Sequence, residues 1–222
     1  MNRATILLAS ASPRRRALLG ALLADRGQPF TVVAVDVDES IPPGEAPAAA
    51  AVRLALAKAL AVAPSAGGRS ALIIGADTIV VARDGGGTGF GAGADARGPE
   101  TDPQRHPTIL GKPRDAEEAT AFLRRLRGRR HDVVTGVAVV DAATGAHVTA
   151  CATTAVWMRS YTDGEIAAYV ASGDPLDKAG GYAIQHRGFH PVAALVGSEA
   201  NVIGLPVGMV GRMMGRMMGR IG

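Results

Sequence analysis

Three arginines, Arg14, Arg15 and Arg16, follow directly on Ser10-Ala11-Ser12-Pro13. The apolar run Ala4 to Leu8 just before them reads as a β-strand, and Ala17, Leu18, Leu19, Leu22 and Leu23 just after them recur with helical spacing. Ser12 suits the N-cap, and Pro13 the first helical position, where its missing N–H is not needed. A strand–turn–helix with small residues in the turn aims free backbone N–H groups at one point and makes a ready anion site. Cations in the first helical turn oppose the positive end of the helix dipole, at about 0.3–1 kcal/mol each. A phosphate chain bound among them would offset this; a solvated basic helix start is the alternative.

Asp77 is the strongest single candidate for catalysis, because it sits in the nearly all-apolar run Ala71 to Ala82. A carboxylate there is costly to bury unless it is paired or metal-bound. It could ligate Mg²⁺ or take a proton from a water, or it could be a strand-end Asp bonding local backbone. The loop acids Asp38 and Glu39 matter only if the fold brings them near Asp77. Lys58 lies among alanines and leucines, where a lysine most often snorkels to solvent. Lys112 lies in a Gly-Lys-Pro turn that fixes its backbone for a phosphate contact, although the spacing is not that of a Walker A loop. His186 and His190 are four apart, but Gly188 breaks any helix between them, which argues against a metal pair.

The elements that must hold these residues follow from pattern. Phe30 to Val35 reads as a second strand, Pro47 to about Ala63 as an alanine-rich helix stopped by Pro64, Gly67 and Gly68, and Ala71 to Ala82 as a central strand covered on both faces. Asp84 to Pro107, dense in glycine, reads as an insertion or disordered loop. Asp115 with Glu118 opens a helix with the stripe Ala119, Phe122, Leu123 and Leu126. Val133 to Val140 and about His147 to Met158 read as a hairpin around Asp141 to Gly145. Thr162 with Glu165 opens a helix to about Ala171, and Tyr182 to Gln185 reads as a short strand. From Gly208 a Gly-Arg-Met-Met repeat reads as a frayed helix or a Met-rich partner surface.

Bulk properties bound the function. The 222 residues, 47% hydrophobic and 20% charged, suit one domain or two small lobes. Net charge is +4 with a pI near 9.7, which suits an anionic ligand, while 4% aromatics argue against a nucleic-acid surface. Cys151 is the only cysteine, which excludes an intrachain disulfide framework; it reads as a small core residue in a reducing compartment. No signal peptide and no run of about 18 apolar residues is evident, so a cytoplasmic protein without a membrane span is expected.

Four stretches in order carry a resemblance: Leu8 to Arg15, Gly75 to Val80 (Gly-Ala-Asp-Thr-Ile-Val), Gly111 to Ala116 (Gly-Lys-Pro-Arg-Asp-Ala), and Gly173 to Gln185 (Gly-Asp-Pro-Leu-Asp-Lys-Ala-Gly-Gly-Tyr-Ala-Ile-Gln). With Asn201-Val202 and Gly204-Leu205-Pro206, the chain resembles the Maf family (septum formation inhibitor Maf-like proteins) over about residues 4–82 and 108–207. The resemblance implies a two-lobed α/β fold, Maf/ITPase-like, with an elongated mixed sheet flanked by helices and a cleft between lobes, commonly dimeric. It implies one such domain over 1–207, interrupted at about 84–107 and followed by a Gly-Arg-Met-rich tail, 208–222. The implied activity is hydrolysis of a nucleoside triphosphate to monophosphate and pyrophosphate with Mg²⁺ or Mn²⁺, in the dTTP/UTP-preferring branch. Alternatives are the 7-methyl-GTP branch and a non-catalytic nucleotide- or DNA-binding regulator of septum formation. By the same resemblance Asp77 is the general base; Ser10, Arg14, Arg15, Lys58 and Lys112 bind substrate; Arg14, Thr78 and Gln185 set specificity; and Asp77 with Glu39 holds the metal. The expected partners are the nucleotide and a second copy of the chain, with no membrane and no specific nucleic acid. His186 departs from the family, which usually has Gly after the Gln.

Overall fold

The computed structural model describes residues 5–67, 70–83 and 107–221. Gly68 and the glycine-dense stretch, apart from Pro107, lie outside the described residues. In chain order the elements are β1 (Thr5–Ala9), α1 (Pro13–Ala24), β2 (Phe30–Val33), α2 (Pro47–Val62), β3 (Ala71–Ala82), β4 (Thr108–Leu110), α3 (Ala116–Leu126), β5 (Arg130–Asp141), β6 (His147–Met158), α4 (Asp163–Ala171), β7 (Val192–Val196), α5 (Glu199–Ile203) and α6 (Val207–Ile221). The strands form one seven-stranded sheet in the order β2-β1-β3-β5-β6-β7, with β4 on β3. β1 is parallel to β2 and β3, while β4 is antiparallel to β3 and β7 to β6, so the α/β sheet is mixed.

The chain divides into two compact units: Met1–Thr78 with Val134–Ala152 and Ala200–Gly222, and Ile79–Val133 with Thr153–Glu199. In the first unit, Leu8, Leu19, Leu72, Ile74, Val137 and Leu205 form one core cluster. The alanine-rich α2 builds another with Leu7, Ile73, Ala138 and Val140. Its alanines have a steric reason. A Cβ on Gly75 would lie 2.1 Å from the Ala55 carbonyl oxygen, and one on Gly136 would lie 2.2 Å from Ala51. Helix backbone therefore rests on sheet backbone, and only small residues permit that approach.

Pro47–Ala66, α2 with the 3₁₀ turn that follows, does meet the length and composition of a membrane span, with a mean hydropathy of 1.4. Composition alone decides little here, because the sheet-facing side of this helix, Ala50, Ala51, Leu54, Ala55, Lys58, Ala59 and Val62, is buried within the protein.

Two expectations fail at the surface and at the end of the chain. Cys151 is exposed rather than in the core, since β6 alternates exposed and half-buried residues over this stretch. The Gly-Arg-Met repeat does form a helix, α6, but neither a frayed one nor a Met-rich partner surface: Val210, Met213, Met214 and Met217 are buried in the first cluster. The four-residue repeat puts methionines three, four and seven positions after Val210, the spacing of one helical face.

In the second unit α3 buries Ala119, Leu123 and Leu126, and Phe189 packs its ring against Tyr161 and Tyr169. Thr162 and Glu165 form the expected capping box. Asp115 caps α3, but Glu118 accepts instead from the Arg114 backbone N–H at 2.7 Å and from its guanidinium, one residue before the cap. Tyr182 to Gln185 is not a strand; 3₁₀ turns over Asp174–Asp177 and Ala179–Gly181 lead straight into further turns.

The helix-on-sheet contact sets a prediction. Gly75→Ala should lower stability by about 3 kcal/mol or more, a fall in Tm of roughly 6–12 °C. Gly215→Ala, with no atom near the new methyl, should raise stability by about 0.5–1 kcal/mol. Thermal unfolding of both variants checks the pair; equal effects would contradict the contact.

Candidate active site

β1 delivers Ser10 to the start of α1. Ser12 caps the helix, its Oγ accepting from the Arg15 N–H at 3.4 Å, and the buried Ser10 accepts from the Ser12 N–H at 3.2 Å. The three arginines then divide. Arg16 is exposed, while Arg14 and Arg15 are half-buried. Arg15 turns inward: Nε donates to the Gly204 carbonyl at 2.9 Å, Nη2 to Thr78 Oγ1 at 3.0 Å, and Nη1 to Ser10 Oγ at 3.5 Å. Three of its five N–H groups are thereby used inside the protein. Burial lowers its pKa from the ordinary arginine value, the Asp77 and Glu39 carboxylates oppose the shift, and Arg14 adds to it. The carboxylates that face the helix start thus offset part of the charge crowding that the sequence displays.

β3 runs unbroken through Asp77 and Thr78, and Thr78 is its only residue that is not buried. Asp77 is 7% exposed and Lys58 6%. Lys58 Nζ lies 2.5 Å from Asp77 Oδ1 and 2.6 Å from Glu39 Oε1. Lys58 therefore does not snorkel to solvent; it bridges two carboxylates that lie 38 positions apart in the sequence. The loop that carries Glu39 is pinned to α2 by Arg53, which pairs with Glu45 through two bonds and donates to the Ser40 carbonyl at 3.0 Å. Asp38 is taken up locally: it accepts from the Ser40 N–H and hydroxyl, which hold its carboxyl below the usual range.

Asp77 and Glu39 fit a hard divalent ion in one respect, because both already direct an oxygen at a single positive charge, the Lys58 ammonium. Among the described residues there is no cluster of three or more His, Cys, Asp or Glu suited to a metal.

The second unit carries Lys112 and Gln185, both exposed. Lys112 lines a cavity of about 770 Å³ with Thr108, Leu110, Arg114, Phe122 and Arg125. Its turn is braced by the Gly173–Tyr182 segment: the Gly180 N–H donates to the Gly111 carbonyl at 2.9 Å. Gly180 has φ +73, and a Cβ there would press on Val80 at 2.9 Å. Lys178 is bound to the Asp174 carbonyl and carboxylate and to Asp177. Tyr169 donates to Asp174 at 2.7 Å and accepts from the Ala183 N–H at 3.0 Å. The His186 ring packs against Tyr169 at 4.6 Å, and its Nδ1 accepts from the Phe189 N–H. This non-glycine residue after Gln185 thus holds its own turn rather than projecting freely, and it makes no pair with His190, whose backbone donates to the His186 carbonyl.

Two further polar residues carry no sequence signal. Thr135, on β5, is fully buried and bonds Thr78 at 3.0 Å; in the apolar run of its strand it reads only as a β-former. His131 is fully buried against the Tyr182 hydroxyl at 2.6 Å.

The family model described as Maf-like protein matches residues 5–217. The chain belongs to the Maf family. Among its relatives, a dTTP/UTP pyrophosphatase of Moorella thermoacetica is 45% identical over 202 residues, covering 91% of this chain and 89% of that protein. One of Myxococcus xanthus is 45% identical over 208 residues, covering 93% and 89%. One of Syntrophotalea carbinolica is 43% identical over 202 residues, covering 91% and 80%. The crystal structure of a nucleoside-triphosphatase (dITP/XTP pyrophosphatase) of Mycobacterium abscessus matches this Maf chain with a TM-score of 0.39 and 20% identity, covering 69% of this chain and 72% of that one.

Two predictions follow from the buried charges. Lys58→Met should destabilise this Maf protein by about 3–5 kcal/mol by leaving Asp77 buried without its cation, and adding Asp77→Asn should recover much of the loss. Urea unfolding of the two single variants and the double variant checks this. Burial, with Arg130 adding, pushes His131 down to about 3 from 6.5. As pH falls through that window the unfolded chain takes up a proton that the folded chain refuses, so stability falls by up to about 1.4 kcal/mol per pH unit. His131→Gln should flatten that decline between pH ~6.5 and ~4.5, as read from urea midpoints.

Proposed function

We propose that this chain hydrolyses a pyrimidine nucleoside triphosphate, dTTP or UTP, to the monophosphate and pyrophosphate. The observation that carries the reading is the Glu39–Lys58–Asp77 cluster, held next to the capped, cation-rich start of α1. It supplies a base and positive charge beside a helix start whose dipole favours a bound anion such as a triphosphate. The similarity to proteins named dTTP/UTP pyrophosphatases supports the choice of substrate.

The roles divide by charge. Ser10, Arg14 and the unused N–H groups of Arg15 would receive phosphate oxygens, with Lys112 contributing from its braced turn. Asp77 would orient and deprotonate the attacking water. Lys58 holds that carboxylate in place. A divalent ion, Mg²⁺ or Mn²⁺, would be held by Asp77 and Glu39 and would neutralise phosphate charge when bound. Thr78, beside Asp77 and partly exposed, would read the base together with Gln185 and Arg14. The working compartment is the cytoplasm, in line with a single unpaired thiol.

Pyrophosphate release from UTP, dTTP, CTP, GTP and 7-methyl-GTP with Mg²⁺ or Mn²⁺ tests the reading. UTP and dTTP should lead the series. A lead by 7-methyl-GTP would move the chain to the other branch, and no release from any nucleotide would leave a binding protein. Asp77→Asn should fold and lose about 10²–10⁴-fold in kcat, whereas Lys112→Ala should raise KM about tenfold or more.

A further inference from the structure

We infer that Thr135 fixes the Thr78 hydroxyl as a hydrogen-bond acceptor toward the substrate, which makes it a positioning residue for discrimination between uracil-type and cytosine bases. The inference rests on the proposed reading of Thr78 as a base contact and adds the direction of that contact.

The argument is a count of protons. A threonine hydroxyl has one hydrogen and two lone pairs. Thr135 Oγ1 lies 2.9 Å from the Asn201 backbone carbonyl, which can only accept, so Thr135 donates its hydrogen there. The same oxygen lies 3.0 Å from Thr78 Oγ1. With its hydrogen committed, Thr135 can only accept in that pair, so Thr78 is the donor. Arg15 Nη2, which can only donate, occupies one lone pair of Thr78 at 3.0 Å. What Thr78 has left is a single lone pair. The chain Arg15 to Thr78 to Thr135 to Asn201 runs one way, and Thr135 is 0% exposed, so no water reverses it.

An acceptor at this position has a chemical consequence. Uracil and thymine present an N–H donor at N3, whereas cytosine presents a bare ring nitrogen there. Two acceptors facing each other leave both unpaired, and a polar mismatch rejects a ligand more strongly than a change in size does. The buried threonine behind the strand thus acts on specificity without touching the nucleotide.

The test compares kcat/KM for UTP and CTP in the 222-residue chain. Thr135→Val keeps the shape of the side chain and frees the Thr78 hydrogen to turn toward the base, so the UTP-to-CTP ratio should fall about tenfold, and Thr135→Ser should restore it. Thr78→Val is the control for the underlying reading. If Thr78→Val leaves the ratio unchanged, Thr78 does not read the base and that reading fails. If Thr78→Val collapses the ratio while Thr135→Val holds it at wild type, the inference on Thr135 fails alone. An equal fall in Thr135→Ser and Thr135→Val overturns it too, because the hydroxyl then makes no difference. Should Thr135→Val not fold, the wild-type enzyme still decides. Raising the pH through loss of the uracil N3 proton should lower the UTP-to-CTP ratio, and a flat ratio across that range overturns the proposal.

Discussion

The close approach of α2 to the sheet is the contact on which the site of the first unit depends. Ala51 rests on Gly136, and Ala55 and Ala59 rest on Gly75, at distances that no side chain larger than a methyl on the helix, and none at all on the strands, would permit. Backbones this close bring Lys58, one residue before Ala59, against the strand that carries Asp77 two residues after Gly75. A larger residue in the helix or a Cβ on either glycine would lift α2 and draw the ammonium away from its carboxylate. The alanine content that makes this helix resemble a membrane segment by composition therefore has a local explanation in packing.

A buried lysine–carboxylate pair adds little net stability, because desolvating two ions offsets their attraction. In the proposed function the Glu39–Lys58–Asp77 arrangement serves as charge held ready for a ligand. Its second carboxylate is 43% exposed and sits on a loop that Arg53 anchors to the same helix. One acid is thus fixed by a strand and the other by a tethered loop, and the ammonium between them marks where positive charge is already favourable. The helix start presents the complementary problem. Arg15 resolves part of it by turning its guanidinium onto Gly204, Thr78 and Ser10. With no acid in its first turn, the start of α1 remains electropositive, a condition that a bound anion would relieve.

How much of this was legible in the sequence depends on range. The Ser12 cap, the Thr162–Glu165 box and the stripe of α3 are set within four residues, and local pattern gives them correctly. Asp77 stood out because a carboxylate in an apolar strand breaks a rule visible at one position. The pairing of Lys58 with Glu39 and Asp77, and the Thr78–Thr135 bond across 57 residues, rest on strand order, and no window of sequence contains them. Cys151 misled because small and sulfur-bearing suggests a core, while the half of β6 that bears it has one exposed face. The methionine repeat misled in the other direction: it read as a frayed helix or a Met-rich partner surface, but the helix it forms turns Met213, Met214 and Met217 into the core.

The second unit shows that residue types alone do not mark a site. Asp174, Asp177 and Lys178 are as rich in chemistry as anything near Asp77, yet they satisfy one another: Lys178 is held by a carbonyl and two carboxylates within four residues of it, and Tyr169 ties Asp174 to the Ala183 backbone. Two glycines at positive φ, Gly180 and Gly181, then let the segment turn tightly enough for Gly180 to hold the Gly111 carbonyl. Acids and a base so close in sequence, all bonded locally, fix a loop in one shape, and the residues they position are the exposed Lys112 and Gln185. In the first unit the ion pair spans distant segments, leaves a carboxylate partly open and adjoins a helix start short of negative charge. That contrast, local closure against a charge cluster that spans distant segments, is the physical ground for proposing chemistry at Asp77 and support at Lys178.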